Sequence, residues 1–227
     1  MFFGYSSYNS MKELCDSLKK KGYIKDKRVY ESMMKVDRAD FSPMCPYADR
    51  PQPINYNVTI SAPHMHAYCL EWLKDHLKEG GRALDIGFGS GYLTVAMSKM
   101  MGDKGTAVGI EHIQELCEFA KKNISKHHKN LLDEKKVILI KGDGRLGNKE
   151  LGTYDCIHVG AAASQLPQNL IDQLALGGRL VIPVGSQIEG QYIYVIDKDI
   201  NGKISQRKEL SVRYVPLTSA KEQLRGY

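Results

Sequence analysis

The sequence predicts an α/β fold: a doubly wound, mostly parallel sheet finished by an antiparallel C-terminal hairpin. Three observations predict it. The run Leu84-Asp85-Ile86-Gly87-Phe88-Gly89-Ser90-Gly91-Tyr92 passes from an apolar, strand-like lead-in through alternating glycines into a helical pattern. From residue 82 to residue 183, strand-length apolar segments alternate with helical ones, which implies right-handed crossovers between parallel strands. At the end, segments 192–197 and 208–216 flank Asn201-Gly202 with no helix between them, the signature of a hairpin.

In chain order, the first quarter reads as two short helices. Ser10 caps a segment with Leu14, Cys15 and Leu18 on one face, ended by Gly22; Asp26 caps a second with Val29, Met33 and Val36 at helical spacing. Between residues 40 and 57, Pro43, Pro46, Pro51 and Pro53 exclude regular structure, so an ordered arm lying over another part of the molecule is expected. Residues 61–78 read as a helix. Strands follow at 82–86, 107–111, 137–141, 154–159 and 179–183, with helices at 92–101, 114–126 and 166–173. No repeat, low-complexity tract or linker interrupts the 227 residues, so one domain is expected, with residues 1–57 as a helical extension and proline-rich arm.

The glycine loop carries chemical information. Glycine lets the chain turn sharply and lets a ligand approach the backbone. A dinucleotide loop needs G-x-G-x-x-G so that its helix can point at a pyrophosphate. Here Tyr92 occupies the third position and Gly91 comes one residue early. Asp85, an anion just before the loop, disfavours phosphate and suits a cation. The loop therefore fits a cofactor without phosphates, and S-adenosylmethionine is the expected one.

Composition narrows the classes. Hydrophobic content of 42% and charged content of 26% are those of a globular protein. No apolar run approaches the roughly 18 residues that cross a bilayer, and residues 1–7 lack the basic and apolar regions of a secretory signal. Cys15, Cys45, Cys69, Cys117 and Cys156 are scattered, with no C-x-x-C pair, so a reducing, cytoplasmic setting without disulfides or zinc is expected. The net charge of +6 owes much to lysines between Lys121 and Lys136. Without interleaved aromatics or arginine, these read as a solvated helix end rather than a nucleic-acid surface.

Polar residues at strand ends are the candidate site residues. Glu111 ends the second strand of the sheet, about 20 residues beyond the loop, where an acid accepts ribose hydroxyls; a plain strand-end acid is the alternative. Asp143 follows the third strand and reads either as a turn aspartate or as an acceptor for an adenine amino group. Ser61, ahead of Pro63, reads first as a helix N-cap and second as a substrate or cofactor contact. His64 and His66 diverge on a helix and have no third ligand nearby, so no metal site is expected.

The chain resembles the protein-L-isoaspartate (D-aspartate) O-methyltransferases. The match is carried by Val36-Asp37-Arg38-Ala39-Asp40-Phe41, Thr59-Ile60-Ser61-Ala62-Pro63-His64-Met65-His66-Ala67, the glycine loop and Gly142-Asp143-Gly144-Arg145. It continues through Ile157-His158-Val159-Gly160-Ala161-Ala162-Ala163, Leu176-Gly177-Gly178-Arg179-Leu180 and Tyr214-Val215-Pro216-Leu217-Thr218. The loop marks the class I methyltransferase superfamily; the TISAPHMHA and IHVGAAA blocks mark the family.

The resemblance implies methyl transfer from S-adenosylmethionine to the α-carboxylate of L-isoaspartyl residues, giving S-adenosylhomocysteine. It implies cofactor contacts at Val58, Thr59, Ile60, Ser61, His66, Asp85, Ile86, Gly87, Phe88, Gly89, Glu111, His112, Ile113, Gly142, Asp143 and Thr218. Ser61 would be the active-site serine, with Val215 and Pro216 toward substrate. The expected partners are isoaspartyl peptides and proteins, met by a monomer, with neither nucleic acid nor membrane involved. Three positions depart from the family pattern: Glu111 where Asp is usual, Phe88 where a small residue is usual, and Asn55 where Gly is frequent. Two rival readings are a methyltransferase for nucleic acid or small molecules, and an inactive cofactor-fold protein that binds acidic partners through its lysines.

Overall fold

The computed structural model describes residues 8–186 and 188–225. The expectation about residues 1–7 lies outside the described residues. Ser10 caps helix α1 (Met11–Lys20), its hydroxyl accepting from the Glu13 amide at 3.2 Å, and Leu14, Cys15 and Leu18 are buried. Asp26 caps α2 (Lys27–Lys35), accepting from the Arg28 amide at 2.7 Å. Ser32 on α2 donates to the Ala96 carbonyl at 2.7 Å. The extension is therefore welded to the main core, with Leu14, Leu18, Val29 and Met33 in the same buried cluster as Leu70, Leu73 and Val95.

The arm is less irregular than its prolines suggest. Strand β1 (Gln52–Pro53) pairs antiparallel with β2 (Thr59–Ile60). Asn55, Tyr56 and Asn57 reverse the chain between them at φ of 75°, 53° and 56°. That left-handed run is disfavoured for side chains with a Cβ. It is tied down by the Gln223 amide, which donates to the Tyr56 carbonyl at 3.1 Å.

Helix α3 (Pro63–Leu73) is shorter than the expected 61–78, and Ser61 is not its cap. Ala62 holds the N-cap position without a side-chain bond. The Asp49 carboxylate, from the arm, accepts from the His64 amide at 3.0 Å instead. A residue distant in sequence thus satisfies an amide that helix starts leave orphaned.

The sheet elements follow as β3 (Arg82–Ile86), α4 (Tyr92–Met100), β4 (Thr106–Glu111), α5 (Gln114–His127), α6 (Lys129–Asp133), β5 (Val137–Lys141), β6 (Tyr154–Val159), α7 (Gln168–Asp172), β7 (Leu174–Ser186), β8 (Gly190–Lys198), β9 (Ile204–Val212) and α8 (Ala220–Gln223). The strand order is β5-β4-β3-β6-β7-β8-β9, parallel from β5 to β7 and antiparallel across β8 and β9. Ala83 faces the core beneath α1–α4, while its neighbour Leu84 faces the core beneath α7, so both sheet faces are covered.

Strand β7 outruns the expected 179–183 at both ends: Leu174 pairs with Tyr154 of β6, and β8 pairs along it from Arg179 to Ser186. The last strand ends at Val212 rather than residue 216. Beyond it, Val215 and Leu217 clasp Ala162: the Ala162 amide donates to the Val215 carbonyl and the Leu217 amide donates to the Ala162 carbonyl, both at 2.8 Å. Pro216 has no N–H to continue a ladder, and this crossing lays the C-terminal segment over the carboxyl ends of the parallel strands.

Candidate active site

From β3 the chain winds outward through β4 and β5, then returns to β6 on the other side of β3. The crevice at that reversal, outside the strand carboxyl ends, is where such sheets bind ligands. A cavity of about 340 Å³ lies there. Val58, Thr59, Ile60, Ser61 and His66 form one wall; Asp85, Gly87, Phe88 and Gly89 form the floor; His158, Gly160, Tyr214 and Val215 close the far side. A groove beside it is lined by Ile86, Ile110, Glu111, His112, Ala161, Pro216, Leu217, Thr218 and Gln223. The two share Val58, Gly87, Gly160 and Val215.

The loop's glycines are required by position. Gly89 has φ of 49°, and a Cβ there would stand 3.1 Å from Ile54 Cδ1 of the arm. The arm therefore lies directly on the loop. Phe88 is accommodated because Gly109 on β4 has no side chain: a Cβ at Gly109 would stand 2.7 Å from Phe88 Cδ1. Tyr92, where a dinucleotide loop has its third small residue, is fully buried. It stacks on His66 at 4.8 Å and meets Phe41 edge-on at 5.6 Å, joining helix α4 to the N-terminal extension.

Asp85 is buried, and both its oxygens are engaged. Oδ1 accepts from His158 Nδ1 at 2.8 Å and Oδ2 accepts from the Thr94 hydroxyl at 2.5 Å. Burial works against a charged His158 ring, but contacts with Cys69 and Asp85 outweigh it and push its pKa up to about 10. Glu111 ends β4, as expected from sequence. Its Oε1 accepts from the amides of His112 (2.8 Å) and Ile113 (3.2 Å), and its Oε2 accepts from the Gly89 amide at 3.3 Å. Burial raises its pKa, opposed by those amides and by His112. Ser61 neighbours the Tyr214 phenol, whose pKa burial pushes up.

The structure brings Val58, Thr59, Ile60, Ser61, His66, Asp85, Gly87, Phe88, Gly89 and Val215 to the main cavity, and Ile86, Glu111, His112, Pro216 and Thr218 to the groove. Ile113, Gly142 and Asp143 line neither. The Asp143 carboxylate is gripped by Arg145, whose Nε and Nη2 donate at 2.9 and 2.6 Å and hold its pKa down. Tyr214, in the C-terminal segment expected near substrate, lines the main cavity; His158 and Gln223, to which the sequence assigns no site role, each line one of these spaces as well. For His158 a signal existed, a polar residue at the carboxyl end of a buried strand. Gln223 carried none.

Parallel strands reversing at a glycine loop, an acid ending the next strand and an antiparallel finish define a class I methyltransferase. The sequence profile of the Protein-L-isoaspartate(D-aspartate) O-methyltransferase family matches residues 9–222. The chain is 51% identical to the protein-L-isoaspartate O-methyltransferase of Caenorhabditis elegans, over 96% of each chain. It is 48% identical to protein-L-isoaspartate O-methyltransferase 1 of Arabidopsis thaliana, over 99% of this chain and 98% of that one. A crystal structure from Plasmodium falciparum, described as a protein-L-isoaspartate O-methyltransferase in complex with S-adenosyl-L-homocysteine, superposes with a TM-score of 0.87 at 40% identity, covering 93% of this chain and 99% of that one. The chain belongs to the protein-L-isoaspartate (D-aspartate) O-methyltransferase family.

Proposed function

We propose that this protein transfers a methyl group from S-adenosylmethionine to the free α-carboxylate of L-isoaspartyl residues, and that the main cavity and its groove hold both reactants. The observation that carries this reading is the continuity of the two spaces across Gly87 and Gly160, between the family's TISAPHMHA block and its C-terminal segment. The groove has the chemistry that an adenosine needs. Ile86, Ile110, Ala161 and Leu217 offer apolar walls, and Glu111, buried at its end, retains acceptor capacity beyond its backbone partners. The shared backbone at Gly87 leads from there into the main cavity, beside Asp85 and Ser61.

When bound, the cofactor supplies an electrophilic methyl on a sulfonium. The carboxylate it meets is already ionised at neutral pH, so the residues need not provide a general base. Asp85, held by His158 and Thr94, is a positioned anion rather than a proton acceptor. An anion and a cation become two neutral products, so excluding water favours the reaction. The duty left to the chain is alignment, worth on the order of 7–11 kcal/mol in ideal cases. Ser61, Gly142, Asp143 and Thr218 are proposed contacts within this scheme. The arm and Val215-Pro216 are proposed as the cover, with backbone at Arg213 to Pro216 pairing strand-fashion with the peptide.

The test uses methyl-labelled S-adenosylmethionine with matched peptides that differ only in Asp versus isoAsp, followed by base-labile methanol release. Selective labelling of the isoAsp peptide is expected; equal labelling of both, or none, overturns the reading.

A cytoplasmic monomer acting without nucleic acid is the setting proposed for this activity. In support, Lys129 pairs with Asp133, Lys136 with Asp103 and Glu134, and Lys126 donates to the Asp40 carbonyl. Much of the lysine-rich segment is thus occupied locally. Among the described residues, no helix is long and apolar enough to cross a membrane.

A further inference from the structure

Arg38 is the largest fully buried side chain of the described residues, and no carboxylate among them pairs with it. Burying a guanidinium is costly unless its donors are used. Two of them are used, both on residues of the site. Nη1 meets His66 Nδ1 at 3.1 Å, and Nη2 donates to the Ser61 carbonyl at 2.6 Å. The guanidinium carbon lies 5.5 Å from the Tyr92 ring centre, the same ring on which His66 stacks at 4.8 Å. Arg38 therefore reaches the cavity only through His66 and Ser61, which line it while Arg38 does not.

A guanidinium donates and never accepts. Nδ1 of His66 must then be the bare, accepting nitrogen, and the ring's single proton must sit on Nε2. The ring's one hydrogen bond to a described residue is at Nδ1, and His66 lines the cavity, so Nε2–H is the donor left for a bound group. Within this site we propose that Arg38 is a positioning residue that locks His66 in the neutral, Nε2–H form, presenting one fixed donor to a carboxylate bound in the main cavity. The same guanidinium holds the Ser61 carbonyl, so a single side chain sets the spacing between the site's serine and its imidazole. Burial lowers the His66 pKa well below its ordinary value, and the charges of Arg38, His158 and His64 act in the same direction. A lysine could satisfy one of the two acceptors but lacks the planar fork that spans both.

The proposal deepens the reading of this cavity as the methyl-transfer site, and its first readout does not require turnover. Full-length protein carrying ring-15N histidine, saturated with S-adenosylhomocysteine, is examined by long-range 1H–15N correlation, with His66 assigned by its loss in His66→Gln. The expected spectrum has an unprotonated Nδ1 and a protonated Nε2, unchanged between about pH 5 and 8, where ordinary histidines titrate. In Arg38→Met the ring is expected to populate both tautomers or take up a proton in that window. Its kcat/KM for an isoaspartyl peptide should fall about 10²-fold, the size of a misalignment effect, and Arg38→Lys should recover only part of that loss. Two additions identify the carboxylate. Starting from ligand-free protein, a shift of Nε2–H on adding S-adenosylhomocysteine alone assigns the donor to the cofactor; a shift only on then adding peptide assigns it to the substrate; no shift at either step overturns the proposal. A proton on Nδ1 in the unaltered protein also overturns it, whether or not Arg38→Met folds. So does an Arg38→Lys or Arg38→Met protein that loses stability while His66 keeps its Nε2–H form.

Discussion

His158 Nδ1 donates to Asp85 Oδ1 at 2.8 Å across the junction of β6 and β3, with both side chains buried. The anion beside the glycine loop is therefore matched by a cation supplied from the neighbouring strand. The floor of the cavity carries a dipole rather than a bare charge. Removing either partner alone would strand a buried charge, at a cost of about 3–5 kcal/mol.

This pair sets one limb of the stability profile. The ordinary histidine value is about 6.5, and His158 is raised to about 10. A raised pKa means the folded state holds the proton more tightly. Its contribution is complete below about pH 6.5 and is lost as the pH rises toward 10. His66 is shifted the other way, so its neutral form costs stability as the pH falls below about 6.5. Thermal unfolding midpoints across this range should fall on both sides, and His158→Gln should flatten the alkaline side. An alkaline decline that persists in His158→Gln would assign it to other groups.

Phe88 and Gly109 should be coupled. A Cβ at residue 109 would press on the Phe88 ring at 2.7 Å and on Leu139 at 3.2 Å. Overpacking of this kind costs roughly 1–3 kcal/mol. We expect Gly109→Ala to lose that much stability in urea titrations, and to lose clearly less when Phe88→Ala is already present. Additive losses in the double variant would show that the ring has other room.

The capping role that sequence alone suggests for Ser61 should belong to Asp49. Asp49→Ala removes the acceptor of the His64 amide, and lost caps cost about 1 kcal/mol. Ser61→Ala should leave chemical denaturation nearly unchanged while lowering turnover more than cofactor affinity. A destabilised Ser61→Ala protein with normal kcat would return Ser61 to a structural role.

Glu111→Gln should weaken S-adenosylhomocysteine binding, read by calorimetry, by roughly 10- to 100-fold. Hydrogen bonds to a charged group contribute about 1.5–3 kcal/mol. The Gln side chain also replaces one carboxylate oxygen by a donor, among backbone amides that need acceptors. Undiminished affinity would remove Glu111 from the ribose site.

Local patterns made most of the fold legible. Ser10 and Asp26 cap α1 and α2 as their spacing indicates, because a cap bonds an amide two or three residues away. Strands β3, β5 and β6 begin and end where the apolar runs do. Ser61 misled because the cap it imitates is supplied by Asp49, from the far side of the arm. Strand β7 is longer than its apolar run because its ends are set by pairing, with β6 at Leu174 and with β8 out to Ser186, which composition does not encode.

The same division holds at the site. The sheet, the glycine loop, the acid at the end of β4 and the membership of the family are legible along the chain, since each is written in short runs of residues whose chemistry acts locally. Three relationships come from the folded arrangement alone: Asp85 is paired with His158, Gly109 makes room for Phe88, and Arg38 reaches the cavity through His66 and Ser61. Those contacts join residues distant along the chain, and their hydrogen bonds and close packing exist only once the strands and helices have docked.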